Sequence, residues 1–172
     1  MHTRAYDYVK AAVLQLDRDG FDFSEADVVE YGSYNVNGSA RDLFLGSGYT
    51  GVDLRSGKGV DQRGDAAEWG EDGAYDVVVS TEMLEHAENA EAIVANAYRV
   101  LADGGVFILT AAGPERVPHG NDGGAVGSEF YRNVSPDDLS DWLEAAGFSD
   151  YDIDLTGDGE DIRATARKGA AA

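Results

Sequence analysis

The chain has 172 residues, 43% of them apolar and 27% charged, the balance of a globular protein long enough for one domain with a buried core. It carries no cysteine, which excludes disulfides and thiolate metal centres, and no apolar run approaches the roughly 18 residues of a membrane span. Thirteen basic against 33 acidic side chains give a net charge of −20, which opposes any grip on a phosphate backbone and permits a neutral or cationic small partner.

Tyr6, Val9, Val13 and Leu16 recur at helical spacing, so an amphipathic helix opens the chain and Asp19-Gly20 ends it. Its mixture of charged and apolar residues is not that of a signal peptide. With no cysteine to oxidise, the protein is expected in the cytoplasm. Residues 26–32, ADVVEYG, read as a short buried strand. Ser39 to Leu45 reads as a helix that stops at Gly46. Tyr49 to Arg55 reads as a second strand, and a glycine-rich polar stretch after it leaves room for a short strand near Val60. Tyr75 to Thr81, YDVVVST, is the clearest strand of all.

Ala90, Ile93, Val94, Ala97 and Leu101 then make a helical stripe, with Asp103-Gly104-Gly105 as its stop. Val106 to Ala111 is another buried strand. The segment from Gly113 to Val134 exceeds ordinary connections, and loops of that length usually carry function. Ser135, Pro136 and Asp138 form a helix start as N-cap, first helical residue and capping box. Leu139, Trp142, Leu143 and Ala146 give that helix a buried face, and Gly147 ends it. Two alternating segments around Asp158-Gly159-Glu160 read as a terminal hairpin. Strands that alternate with helices imply an α/β, doubly wound, mostly parallel sheet with an antiparallel C-terminal hairpin, built as a single domain over residues 1–172.

In such a sheet ligands bind at the carboxyl ends of the strands. Those ends are Glu30-Tyr31-Gly32-Ser33, Asp53-Leu54, Asp65-Ala66, Thr81-Glu82 and Thr110-Ala111. None offers a lysine for phosphates, and no phosphate-binding lysine loop exists. Asp53 lies about 20 positions beyond the first glycine, where an acidic residue can hold ribose hydroxyls. Tyr34 and Val36 stand where a pyrophosphate loop wants glycine. The loop therefore suits a cofactor with a ribose and no pyrophosphate.

Three stretches carry a resemblance to a known family: VVEYGS, YTGVDLR, and the long run from Tyr75 through Gly113, with LEH and L-x-x-GG in register. They resemble the class I S-adenosylmethionine-dependent methyltransferases, above all the small stand-alone ones that bacteria and bacteriophages encode. The resemblance spans roughly Ala26 to Lys168 and implies a seven-stranded Rossmann-like sheet. It implies that Gly32 and Ser33 line the methionine end of S-adenosylmethionine while Glu30 orders the loop and the amino group. It further implies that Asp53 accepts both ribose hydroxyls and that Leu54 packs on the adenine. Asp65 and the Ala66 N–H would read the adenine edge, and Thr81 and Glu82 would flank the sulfonium. Asn35, Asn37 and Gly38 stand in place of the family's further glycines, with Asn35 and Gly38 expected at the cofactor.

The implied activity is methyl transfer to a small-molecule oxygen or nitrogen. A sulfonium methyl is already activated, so a base is needed only where the acceptor must lose a proton. His119 and His86 are the candidates, and His2 carries no signal. Glu82 and Glu85 also suit a helix start through their negative charge. Tyr34, Phe130 and Tyr131 could floor a substrate or face the sulfonium. The loop from Gly113 to Val134, with glycines at 120, 123, 124 and 127, is expected to act as a lid. No nucleic acid, membrane or metal partner is expected. Two alternatives are a catalytically weak S-adenosylmethionine-binding regulatory or assembly protein and an NAD-dependent oxidoreductase on a similar sheet.

Overall fold

Alternate residues of the apolar strands serve two separate layers. The computed structural model describes residues 1–46 and 48–170. Val28, Val77, Val79, Val106 and Ile108 point to one face of a central sheet, and Val29, Val78, Phe107 and Leu109 to the other. Covered on both faces, these strands read as unbroken apolar runs.

The sheet has seven strands: β1 Asp27–Tyr31, β2 Gly48–Asp53, β3 Gln62–Arg63, β4 Tyr75–Thr81, β5 Leu101–Ala112, β6 Asp150–Leu155 and β7 Asp161–Arg167. Their spatial order is β3-β2-β1-β4-β5-β7-β6. The pairs β1–β2, β2–β3, β1–β4 and β4–β5 are parallel, whereas β7 runs antiparallel to both β5 and β6. Helix α1 (Thr3–Arg18) covers the first face through Val9 and Leu16. Helices α2 (Ala90–Val100) and α3 (Pro136–Ala146) cover the second. The expected doubly wound, seven-stranded sheet with its antiparallel terminal hairpin is therefore present.

Helix α3 starts as its sequence dictates. Ser135 is the N-cap, its Oγ accepts from the Asp138 N–H at 3.1 Å, and Pro136 follows. At its end Gly147 adopts φ +109°, and the Gly147 and Phe148 N–H groups both donate to Leu143 O.

Two expectations are corrected. The segment from Ser39 to Leu45 is not a helix; it holds one 3₁₀ turn, Arg41–Leu43. So short a stretch between Gly38 and Gly46 cannot recover the cost of helix nucleation. Its anchor is aromatic, with the Phe44 ring 5.9 Å from Phe23 and 5.7 Å from Tyr49. The second correction concerns Gly104-Gly105. Helix α2 ends at Val100, and Leu101 is already extended and paired with Tyr75. The glycines belong to an irregular start of β5, where Gly104 N–H donates to Lys168 O and Lys168 N–H to Gly105 O.

Candidate active site

Strand order reverses at β1, which has β2 on one side and β4 on the other. The crevice above their carboxyl ends is a cavity of about 910 Å³. Its floor is the turn after β1. Gly32 has φ +77°, and a Cβ there would meet Met83 Cγ at 2.5 Å, so only glycine fits. The Gly32 and Ser33 N–H groups both turn back to Val52 O, at 3.0 and 3.1 Å. Just before them, Glu30 is 3% exposed and its Oε2 has no hydrogen-bond partner. Burial pushes its carboxyl up to about 7, against the opposing pull of the Tyr49 hydroxyl, Arg41 and the Met1 amino group.

Asp53 ends β2 with both oxygens engaged by the backbone. Tyr34 N–H donates to Oδ2 at 3.2 Å and Arg55 N–H to Oδ1 at 2.8 Å. Arg55 Nε also stands 3.6 Å from Oδ1, and the carboxylate lines the cavity. The Arg55 guanidinium lies 4.2 Å from the centre of the Tyr34 ring and ties the two loops together. Leu54 stays 64% exposed at the rim, an apolar surface on which a planar ring can lie. Beyond β3, Asp65 Oδ1 accepts from Ala67 N–H at 2.9 Å. Asn96 on α2 is buried and donates to Ala66 O and Trp69 O, both at 2.8 Å, which fixes that loop from below.

Glu82 follows β4 with φ +53°, an uncommon conformation for a residue with a side chain. Its N–H donates to Thr110 O at 2.9 Å and its Oε1 accepts from Thr110 Oγ1 at 2.8 Å. Its Oε2 lies 2.9 Å from His2 Nε2 and 3.7 Å from Arg116. Burial opposes ionisation of Glu82, but His2, Thr110 and Arg116 outweigh it and hold the carboxyl below its usual range. Arg116 also pairs with the buried Asp161, and His2 Nε2 stands 3.2 Å from the same carboxylate. His2, which shows nothing in the sequence, thus joins α1's leading end to β4, β7 and the cavity wall.

Past Glu82 the chain makes a 3₁₀ turn, Leu84–His86. Glu85 is fully buried, and burial together with the Glu82 charge pushes its carboxyl up to about 8. His86 lines the cavity beside His119 from the long loop, their ring centres 5.1 Å apart. Tyr131 stands edge-on to both, at 5.4 and 5.1 Å. Burial and the nearby His119 push His86 down to about 4, and burial pushes the Tyr131 hydroxyl up to about 12.

One cavity therefore brings together Glu30, Gly32, Ser33, Gly38, Asp53, Leu54, Asp65, Ala66, Thr81, Glu82, His86 and His119. Asn35 stands apart from its lining. Its Oδ1 accepts from Gly38 N–H at 2.9 Å and its N–H donates to Lys58 O at 2.8 Å, so it braces the loop rather than facing the cavity. His2, Arg116 and Met83 also line the space and were not singled out from the sequence. Their sequence distance from the strand ends hides them, and only the packing of α1 and the long loop brings them in.

Comparison with known proteins agrees with this fold. The model of the methyltransferase domain family matches residues 3–153. The chain belongs to that family, and its sheet order is that of the class I, S-adenosylmethionine-dependent branch. No curated protein matches the chain. Among solved structures, phosphoethanolamine N-methyltransferase 2 of Haemonchus contortus, in complex with S-adenosyl-L-methionine, is similar at TM-score 0.68 and 15% identity. The match covers 94% of this chain and 52% of that one, so the chain spans about half the length of that enzyme. A possible histamine N-methyltransferase of Thermotoga maritima aligns at TM-score 0.65 and 18% identity, over 95% of this chain and 91% of that one. A putative methyltransferase of Bacillus halodurans aligns at TM-score 0.68 and 16% identity, over 94% and 99%. No helix among the described residues is long and apolar enough to cross a membrane.

Proposed function

We propose that the chain transfers the methyl group of S-adenosylmethionine to an oxygen or nitrogen of a small molecule. The observation that carries this reading is Asp53: a carboxylate already oriented by two backbone N–H groups, lining the cavity beside an exposed leucine. A ribose diol needs two acceptor oxygens, and an adenine needs the flat apolar surface of Leu54 next to them. Asp65 Oδ2 would take the adenine amino hydrogen and the Ala66 N–H a ring nitrogen. Gly32, Ser33 and Gly38 leave room for the methionine chain, and Glu30 faces its ammonium group. Asn35 supports this loop indirectly, through Gly38. Thr81 and Glu82 hold the end of β4 beside the sulfonium.

The reaction needs an in-line acceptor and a dry site more than a strong catalyst. An acceptor lone pair forms the bond to the methyl carbon, the S–CH₃ electron pair stays on sulfur, and S-adenosylhomocysteine leaves. A hydroxyl or ammonium acceptor also gives up a proton. His86 is held too far down to collect it well near neutrality, which assigns that role to His119. The loop from Gly113 to Val134, which carries Arg116 and His119, would close over the acceptor.

The test is a labelled-donor assay against a panel of small alcohols, phenols and amines and against metabolite extracts. Methyl transfer to a small molecule, with turnover of His119→Ala reduced between pH 6 and 9, is the expected result. Label appearing only in nucleic acid or protein would overturn the acceptor class. Unchanged turnover of His119→Ala from pH 6 to 9 would overturn the base.

A further inference from the structure

We infer that Glu85, His86 and His119 form a binding site for one divalent transition-metal cation at the acceptor end of the cavity. One oxygen of Glu85 and one nitrogen of each histidine lie within 4.8 Å of one another. That spacing gathers all three around a common centre, which a side-chain adjustment of about 1 Å brings to ordinary metal–ligand distances of roughly 2.0–2.2 Å. The independent observation is what these groups lack. Glu85 is 0% exposed, yet neither of its carboxylate oxygens has a hydrogen bond of ordinary geometry, and only the Glu85 and Ala112 backbone N–H groups act on it, as weak donors. His86 Nδ1 and the Tyr131 hydroxyl, in the same cluster, are buried and unpartnered too. Buried polar atoms are nearly always satisfied, and a group of four that is not calls for something held between them.

His119 is oriented for the task. Its Nδ1 lies 3.3 Å from Val117 O, an acceptor only, so Nδ1 carries the hydrogen and Nε2 keeps a free lone pair. Metal-binding histidines are commonly fixed in this way by a carbonyl on the other nitrogen. Glu82 is not counted as a ligand, because His2 and Thr110 already engage its oxygens. Two imidazoles and one carboxylate suit zinc, manganese, iron or cobalt better than magnesium or calcium, which prefer all-oxygen sets. Three protein ligands leave a position open toward the cavity that His86 and His119 line.

The use of such a site rests on the methyl-transfer reading; its existence does not. A bound cation would take the oxygen of a hydroxyl acceptor into its open position and lower the pKa of that hydroxyl. The proton passes to water, the oxygen lone pair forms the O–CH₃ bond, and the S–CH₃ pair remains on sulfur. In that loaded form His119 acts as a ligand and the base is dispensable. The acceptor class then narrows to hydroxyl compounds.

The test is titration of chelator-treated full chain with Co²⁺, Zn²⁺ and Mg²⁺, with S-adenosylhomocysteine affinity measured on the same samples. The expected result is one equivalent of Co²⁺ with visible ligand-field bands, displaced by Zn²⁺ and not by Mg²⁺. Glu85→Gln and His119→Ala are expected to weaken it by at least about tenfold. His119 lies on a loop, so its variant keeps the test available if the buried Glu85→Gln fails to fold. Absence of a one-equivalent site in the wild type, or equal cobalt affinity in the folded His119 variant, would overturn the proposal. Failure of S-adenosylhomocysteine to bind while cobalt binds would overturn the methyl-transfer reading and leave the metal site standing.

Discussion

Two carboxylates at the ends of neighbouring strands show how environment divides one chemistry into two roles. Asp53 is oriented by N–H donors and is suited to accept hydrogen bonds as an anion. Losing it removes two hydrogen bonds from a charged acceptor, each worth roughly 1.5–3 kcal/mol. Asp53→Ala is therefore expected to weaken S-adenosylhomocysteine binding by about 100-fold or more in calorimetry. Glu30 is buried and its carboxyl is raised to about 7. Between its unfolded value of 4.5 and about 7 the native chain binds the extra proton, so stability falls as pH rises through this window. The penalty is absent below 4.5, complete above about 7, and on the order of 3 kcal/mol. Thermal melts of the ligand-free protein should show Glu30→Gln gaining on the wild type between pH 5 and pH 8. A constant gap across that range would place the Glu30 titration elsewhere.

Local chemistry made most elements legible. Three valines in a row, Val77 to Val79, announce β4, and the cap at Ser135 announces α3, because each signal lies within a few residues of the element that it sets. Replacing Ser135 by alanine frees the Asp138 N–H and should cost about 1 kcal/mol in denaturant melts with no change in cofactor affinity. A loss of affinity there would mean that α3 shapes the site. Of the two misread segments, the one around Gly104-Gly105 depends on partners far along the chain. Leu101 leaves the helix because Tyr75 pairs with it, and Gly104 is satisfied by Lys168. Neither partner is visible in a window around the glycines. The segment from Ser39 to Leu45 has a helical composition, but it is too short to form more than one turn.

At the scale of the whole molecule the same division holds for the site. The strand-end residues Asp53, Asp65 and Thr81 are readable because a parallel sheet always delivers its carboxyl ends to one edge. His2 and Arg116 are not readable, because 80 and 34 positions, respectively, separate them from Glu82. Glu85 reads as a helix-start acid, and only the fold shows it buried and unpartnered beside two histidines. The net charge of −20 adds a property of the entire surface. Like-charge repulsion weakens the compact state, and salt shortens its reach to about 3 Å at 1 M. The melting temperature should therefore rise with sodium chloride, and a fall would show that ion pairs such as Arg116 with Asp161 matter more than the net charge.

The claim on which all else depends is that the cavity above β1 and β2 holds a ribose without a pyrophosphate. Calorimetric titration of the full chain with S-adenosylhomocysteine, and in parallel with NAD, tests it most directly. One equivalent of S-adenosylhomocysteine should bind and NAD should give no heat. Binding of NAD, with no response to S-adenosylhomocysteine at millimolar concentration, would contradict the assignment of the site.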